Sequence, residues 1–270
     1  MRRLSAPVSL ILLLLVVTAC SKFRKIEKSQ DWRVKYEAGI NYYNKEDYYR
    51  ASVLFEQILP IVRGLPEGEK VQFYLAYCQF HDKLYLLASE QFKTFYETYG
   101  RSELAEEARF MRAYSLYRSS PNPNLDQTSS VDAMAAMQQF INRYPNSKFR
   151  DRAVEVIETA QHKLEKKGFE NARQYYKMRL YKAAVVALNN FKQNFPDSKY
   201  VEEAYYLAVV SQFRLAEQSL RSLQAERYQA VVDQYLEFLE RYPDSSFLKD
   251  AEKLYAESLE KVNSFKVAKS

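Results

Sequence analysis

Tyr144-Pro145-Asn146-Ser147, Phe195-Pro196-Asp197-Ser198 and Tyr242-Pro243-Asp244-Ser245 are three copies of one turn, and Tyr99-Gly100-Arg101-Ser102 is a fourth with glycine for proline. Proline or glycine stops the helix before the turn. The Asn or Asp and the Ser that follow are expected as N-cap residues of the next helix. Each copy then runs into a ring or a leucine and an alanine: Leu104 and Ala108, Phe149 and Ala153, Tyr200 and Ala204, Phe247 and Ala251. Fifteen residues before the breaker stands an aromatic, at Tyr85, Tyr181 and Tyr228. Ala88, Phe92 and Phe95 follow the first of these, and Ala184, Leu188 and Phe191 the second. Val231, Tyr235 and Phe238 follow the third, while another copy keeps Ala133, Met137 and Phe140 behind Ser130. An initial copy reads Tyr48, Ala51, Phe55, Ile58 and is expected to stop near Pro60. Offsets of three, four and three put these side chains on one helical face.

A partner helix precedes each stripe, around Tyr36–Tyr42, Phe73–Phe80 and Phe110–Tyr117. Gly39, Tyr42, Ala51 and Phe55 match the tetratricopeptide (TPR) spacing of glycine, tyrosine, alanine and phenylalanine. The sequence therefore predicts an all-α, TPR-like α-solenoid of about five helix-turn-helix repeats. Breaker-to-breaker distances of 45, 51 and 47 residues exceed the minimal repeat, so insertions are needed. One is the Pro/Asn/Ser-rich segment 119–130, read as a mobile surface loop. The other is the run from Arg150 to Tyr176, either one helix of about 40 Å or two helices broken near Gly168. Only five glycines and eight prolines occur in 270 residues, which suits an all-helical chain. The formal charge of +6 is spread along the chain without a basic stripe, which argues against a nucleic-acid partner.

Arg2 and Arg3, the apolar stretch Leu10–Val17 and Val17-Thr18-Ala19-Cys20 follow the order of a secretory signal. The apolar stretch is too short to span a bilayer, which takes roughly 20 residues. A cleavage signal ending in cysteine resembles the bacterial lipobox. That resemblance implies an acylated Cys20, an N-palmitoyl and S-diacylglycerol cysteine, as first residue of the mature chain. An ordinary signal peptide with a bystander cysteine is the competing reading. Several acyl chains hold a protein stably on a membrane. With Cys20 acylated, Cys78 has no disulfide partner and reads as a small buried thiol in a helix seam.

Taken together, the lipobox, the repeat count, the loop in the third repeat and the long helix after it resemble the BamD family, as do two local stretches. These are Glu170-Asn171-Ala172-Arg173-Gln174-Tyr175-Tyr176 and Tyr181-Lys182-Ala183-Ala184-Val185-Val186. The BamD proteins are TPR lipoproteins of the bacterial barrel-assembly machinery, and the likeness covers roughly residues 30 to 262. It implies a scaffold anchored in the inner leaflet of the outer membrane. The C-terminal repeats would dock the POTRA region of a BamA-like barrel protein, with other assembly lipoproteins as further partners. The N-terminal repeats would receive β-signals of unfolded outer-membrane proteins. Ser21 after the cysteine, rather than Asp, implies outer-membrane delivery within such a family. The expected layout is a signal peptide at 1–19, a lipidated linker at 20–31, two repeats and the first helix of the third at 32–118, the loop at 119–130, the remaining repeats at 131–262 and a polar tail at 263–270. TPR register places Tyr36 and Tyr43 on the groove side of the first repeat, and Phe73, Tyr77 and Phe80 on that of the second. Rings offer an extended apolar peptide large contact area at low entropy cost, and Asn41 and Asn44 are suited to its backbone. The segment 188–194 offers only Lys192 as a basic docking residue.

No catalytic constellation is present. The two histidines, His81 and His162, lack a second ligand at metal spacing and read as solvated or capping. Glycine-rich phosphate loops and nucleophile elbows are absent, and no cofactor is implied. Glu106-Glu107 and Glu202-Glu203 sit at helix starts, where they complement the dipole. The competing functions are a nutrient-uptake lipoprotein and a peptidoglycan or constriction coordinator. The first class carries a separate ligand subdomain, and the second an N-terminal coiled coil for which residues 21–31 leave no room.

Overall fold

A computed structural model describes residues 22–267, and Cys20 lies outside them. After a short helical stretch at 22–27 come eleven helices. They are α1 (Trp32–Asn44), α2 (Tyr48–Val62), α3 (Pro66–His81), α4 (Tyr85–Thr98), α5 (Ala105–Ser119) and α6 (Thr128–Arg143). Then follow α7 (Arg150–Lys177), α8 (Tyr181–Asn194), α9 (Val201–Glu217), α10 (Arg221–Arg241) and α11 (Leu248–Val267). No strand occurs among the described residues, and consecutive helices pack in hairpins. This is the all-α, TPR-like repeat architecture that the turns and stripes predict.

The chain divides into two compact units. One holds the residues up to Pro121 with Thr128–Ala160, the other Asn122–Gln127 with the chain from Gln161. In the first unit, Ala51, Phe55, Ile58, Val62, Val71, Leu75 and Cys78 make one core, and Phe92, Phe95, Met137 and Phe140 belong to a second. In the other unit Phe169, Leu188, Phe191, Phe213, Tyr235 and Phe238 share a core. The stripe positions Ala51, Phe55, Ala88, Phe92, Ala184, Leu188 and Val231 are all fully buried. Gly39 lies where a Cβ would come within 2.6 Å of the Phe55 ring, so glycine is what lets α1 and α2 meet.

Both kinds of turn have fixed chemistry. Between α1 and α2, α3 and α4, and α7 and α8 the chain passes through Glu46, Lys83 and Arg179 at φ near +60°. The bonds Asp47 N–H to Tyr42 O, Leu84 N–H to Gln79 O and Leu180 N–H to Tyr175 O close a Schellman cap at each. At four of the remaining turns the serine acts two residues ahead of the N-cap. The hydroxyl oxygens of Ser102, Ser147, Ser198 and Ser245 accept from the N–H two residues on, at 2.9, 3.0, 3.3 and 3.2 Å. Leu104 and Tyr200 hold the cap positions before α5 and α9, without a side-chain bond.

These serines also reach back. Ser102, Ser147 and Ser245 donate to Oε1 of Glu69, Glu106 and Glu202 at 2.5, 2.5 and 2.6 Å, across 33, 41 and 43 residues. The ring after the serine stacks on the ring four residues past the glutamate: Phe149 on Phe110 at 4.7 Å and Phe247 on Tyr206 at 4.8 Å. Tyr200 stacks on Phe169 at 5.1 Å in the same way, and Glu165, four residues before Phe169, is buried. The glutamates expected only to complement a helix dipole thus bind the next turn.

Three expectations change and one open alternative is decided. Pro60 lies inside α2, which runs on to Val62. A proline so near the end removes little of the helical ladder, and Arg63 N–H still bonds Leu59 O at 3.1 Å. Residues 150–177 form a single helix, with Gly168 seated against the rings of Phe195 and Phe191. The loop is confined to 120–127 and held in place. Gln127 is 4% exposed and donates to Asn122 O at 2.8 Å, and Lys167 Nζ donates to Leu125 O at 2.9 Å. The last helix passes Val262 and reaches Val267, with Phe265 packed on the core of its unit, so the tail is not simply polar.

Candidate functional site

The first helices of the hairpins in the first unit, α1, α3 and α5, carry a lane of partly exposed rings. Tyr43 lies 4.7 Å from Tyr74 and 5.6 Å from Tyr48. Tyr48 stacks on His81 at 4.2 Å and 8°, and His81 continues to Tyr77 at 6.1 Å and Phe80 at 5.8 Å. Phe80 in turn meets Tyr85 at 5.4 Å and Tyr114 at 5.8 Å. Tyr43, Tyr77 and Phe80 lie along this lane, linked through Tyr48 and His81. Tyr36 is half-buried against the first core, and Asn44 is exposed at the end of α1. Phe73 does not belong to the accessible set. It is 6% exposed and wedged between Phe92 and Phe95, at 6.1 and 5.2 Å. Its place on α3 turns it toward α4.

Residues absent from the expected set complete the lane. Arg118 Nη2 donates to Tyr85 Oη at 2.9 Å and its guanidinium lies over the rings of Phe80, Tyr85 and Tyr114. Arg152 Nη2 donates to Tyr114 Oη at 3.1 Å and its Nη1 to Glu155 at 2.6 Å. Burial alone would raise the Tyr114 phenol. The hydrogen bonds and charges of Arg152 and Arg118 outweigh it and hold the phenol below its usual value. Tyr77 is the opposite case: burial, then its hydrogen bond to Glu107, push its phenol up. His81 is no bare cap. Burial against the rings lowers its imidazole, with Glu46 and Asp82 pulling the other way. Burial likewise pushes the Cys78 thiol up to about 12, which fits an inert seam residue. The signal that would have located Arg118 and Arg152 is their helical spacing from Tyr114, four residues along α5 in one case and an aligned first turn of α7 in the other.

In the other unit, Lys192 is 9% exposed rather than free for docking. Its Nζ lies 3.4 Å from Glu237 Oε2 and 4.0 Å from the centroid of Tyr205. Burial lowers its ammonium and Glu237 partly restores it. An accessible feature of this unit is an apolar recess of about 780 Å³ lined by residues that include Tyr175, Leu180, Tyr181, Val186 and Leu215. Leu180 and Val186 expose 48% and 56% of their surface there. Among the described residues no group of His, Cys, Asp and Glu is placed to hold a metal ion, and no helix is long and apolar enough to cross a membrane.

The chain has relatives among known proteins. It is 30% identical over 191 residues to a protein of Aquifex aeolicus (strain VF5) named "Putative outer membrane protein assembly factor BamD". The match takes in 70% of this chain and 62% of that relative's length, so the chain spans less than two thirds of it. The family model YfiO, described as outer membrane lipoprotein, matches residues 28–186 and 163–262. With nearly all of the described helices inside those two matches, the chain belongs to the YfiO family of outer membrane lipoproteins.

Proposed function

We propose that this protein is a lipid-anchored scaffold on the periplasmic face of the outer membrane. In this reading it binds nascent outer-membrane proteins and the POTRA region of a barrel-forming subunit during barrel assembly. Acylated Cys20 supplies the anchor. The observation that carries the reading is the lane of Tyr43, Tyr48, Tyr77, Phe80 and Tyr114 edged by Arg118 and Arg152. A barrel β-signal is an extended segment with aromatic side chains. Ring faces and edges suit those side chains, and guanidinium groups suit its terminal carboxylate. The apolar recess of the other unit, with Leu180 and Val186 exposed, is a separate protein-binding surface suited to the POTRA partner.

Fluorescence anisotropy with a labelled β-signal peptide, and a pull-down with a POTRA array from the same organism, test the two halves separately. Tyr114→Ala and Arg118→Gln are expected to weaken the peptide at least tenfold and leave the array bound. Val186→Asp is expected to do the reverse. Peptide binding that is indifferent to Tyr114 and Arg118, or an array that never binds, removes the corresponding half.

A further inference from the structure

Away from the ring lane, a second site has the chemistry of an anion receptor. Tyr96 of α4, Arg109 and Arg112 of α5, and Gln139, Asn142 and Arg143 of α6 line a recess of about 470 Å³, within the range of small-molecule sites. No Asp or Glu lines it. Elsewhere Arg50, Arg152 and Arg214 lie 2.8, 2.6 and 2.7 Å from a carboxylate three residues away. Arg109 and Arg112 are different: among the described residues neither has an ion pair, and the Nε of each is buried without a hydrogen-bond acceptor. Arg109 is held in place by the Tyr96 ring, 4.0 Å from its guanidinium carbon. Arg143 sits in the last turn of α6, where the helix end favours a cation.

The geometry points to a binding site for a phosphate group in this recess. Three guanidinium groups line one recess that no carboxylate lines, and Arg109 and Arg112 have no ion pair among the described residues to offset their charge. A bound oxyanion supplies the missing counter-charge through the guanidinium groups that line the recess. A carboxylate presents two oxygens in one plane and satisfies one guanidinium fork. A phosphate presents several oxygens in different directions and up to two negative charges, which suits donors converging from two helices. The amides of Gln139 and Asn142 stand at the rim as further donors. A free phosphate or diphosphate and the headgroup of an acidic phospholipid share this chemistry.

The test uses the chain from residue 20 onward with Cys20→Ser, so that no acyl anchor contributes. Calorimetric titration with inorganic phosphate and with diphosphate is paired with co-sedimentation on phosphatidylcholine vesicles with and without phosphatidic acid. Salt-sensitive binding is expected, weakened about tenfold or more by Arg109→Gln or Arg112→Gln and unchanged by Arg101→Gln, an exposed substitution of equal charge. Arg143→Gln at the exposed rim serves if the inner variants fail to fold. Loss of vesicle binding in the same variants identifies a lipid headgroup, and binding of the soluble anions alone identifies a free phosphate. Three results overturn the inference: no binding of either, equal weakening by Arg101→Gln, or binding of an oligoglutamate peptide in preference to phosphate.

Discussion

Replacing Gly39 by alanine sets two helix effects against each other. A methyl at Gly39 would stand 2.6 Å from Phe55 Cε1, 3.0 Å from Cδ1 and 3.1 Å from Cζ. Favourable carbon contacts lie near 3.5–4.0 Å, so the ring has to retreat by about 1 Å. Phe55 is fully buried in the core shared by α2 and α3, so its retreat has to displace packed neighbours. Overpacking of this kind costs about 1–3 kcal/mol, and three close ring atoms place it near the upper end. Alanine recovers up to about 1 kcal/mol over glycine inside a helix. The net expectation is a loss of about 2 kcal/mol, or a fall in melting temperature of about 4–8 °C at the scale of a 150–250-residue unit. Thermal unfolding followed by circular dichroism measures it. Gly39→Ala in a Phe55→Leu background is expected to cost less than the sum of the single changes, because the smaller side chain gives the methyl room. An alanine variant as stable as the parent, or more so, would refute the close approach of α1 and α2.

The other expectations concern turns and titration. Ser147→Ala removes both the bond from Phe149 N–H and the one to Glu106, and is expected to cost about 1–2 kcal/mol in urea unfolding, more than loss of a lone cap. Lys83→Gly relieves a side chain held at φ +63° and is expected to raise stability by about 0.5–1 kcal/mol in the same assay. His81 has its imidazole lowered in the folded protein, so folding favours the neutral form. Stability from this residue is present above the ordinary imidazole range near ~6.5 and is lost as pH falls through it. His81→Gln is expected to flatten that slope in melting curves taken between pH 5 and pH 8.

The second helix of each hairpin was the most legible part of the chain. A helix buried along one face writes its contacts into the sequence at offsets of three and four, so Ala88, Phe92 and Phe95 could be placed without coordinates. The first helices are packed on two sides, and periodicity does not say which ring faces which neighbour. That is why Phe73 is in the core while Tyr77, one turn later on the same helix, is only partly buried. The long-range partners of Ser102, Ser147 and Ser245 were hidden for another reason. A serine and a glutamate are each at home at a helix start, and nothing local reveals that they bond across 33 to 43 residues. Arg118 and Arg152 were equally ordinary as surface cations until the fold brought them to Tyr114. The charged residues at positive φ are not legible in the sequence, because glycine is the usual marker of that conformation and Glu46, Lys83 and Arg179 carry none of its signature.

The backward reach of the serines makes each junction depend only on chain that precedes it. Each acceptor glutamate lies upstream of the hydroxyl that binds it, so a turn latches onto a hairpin already made. A polypeptide emerging head first can therefore seal each junction as soon as it appears, never waiting for residues still to come. The loops so closed are of similar length, and the entropic toll of closure hardly rises from one junction to the next. Each of these junctions is thereby tied to the hairpin before it and draws nothing, through this bond, from residues further along the chain.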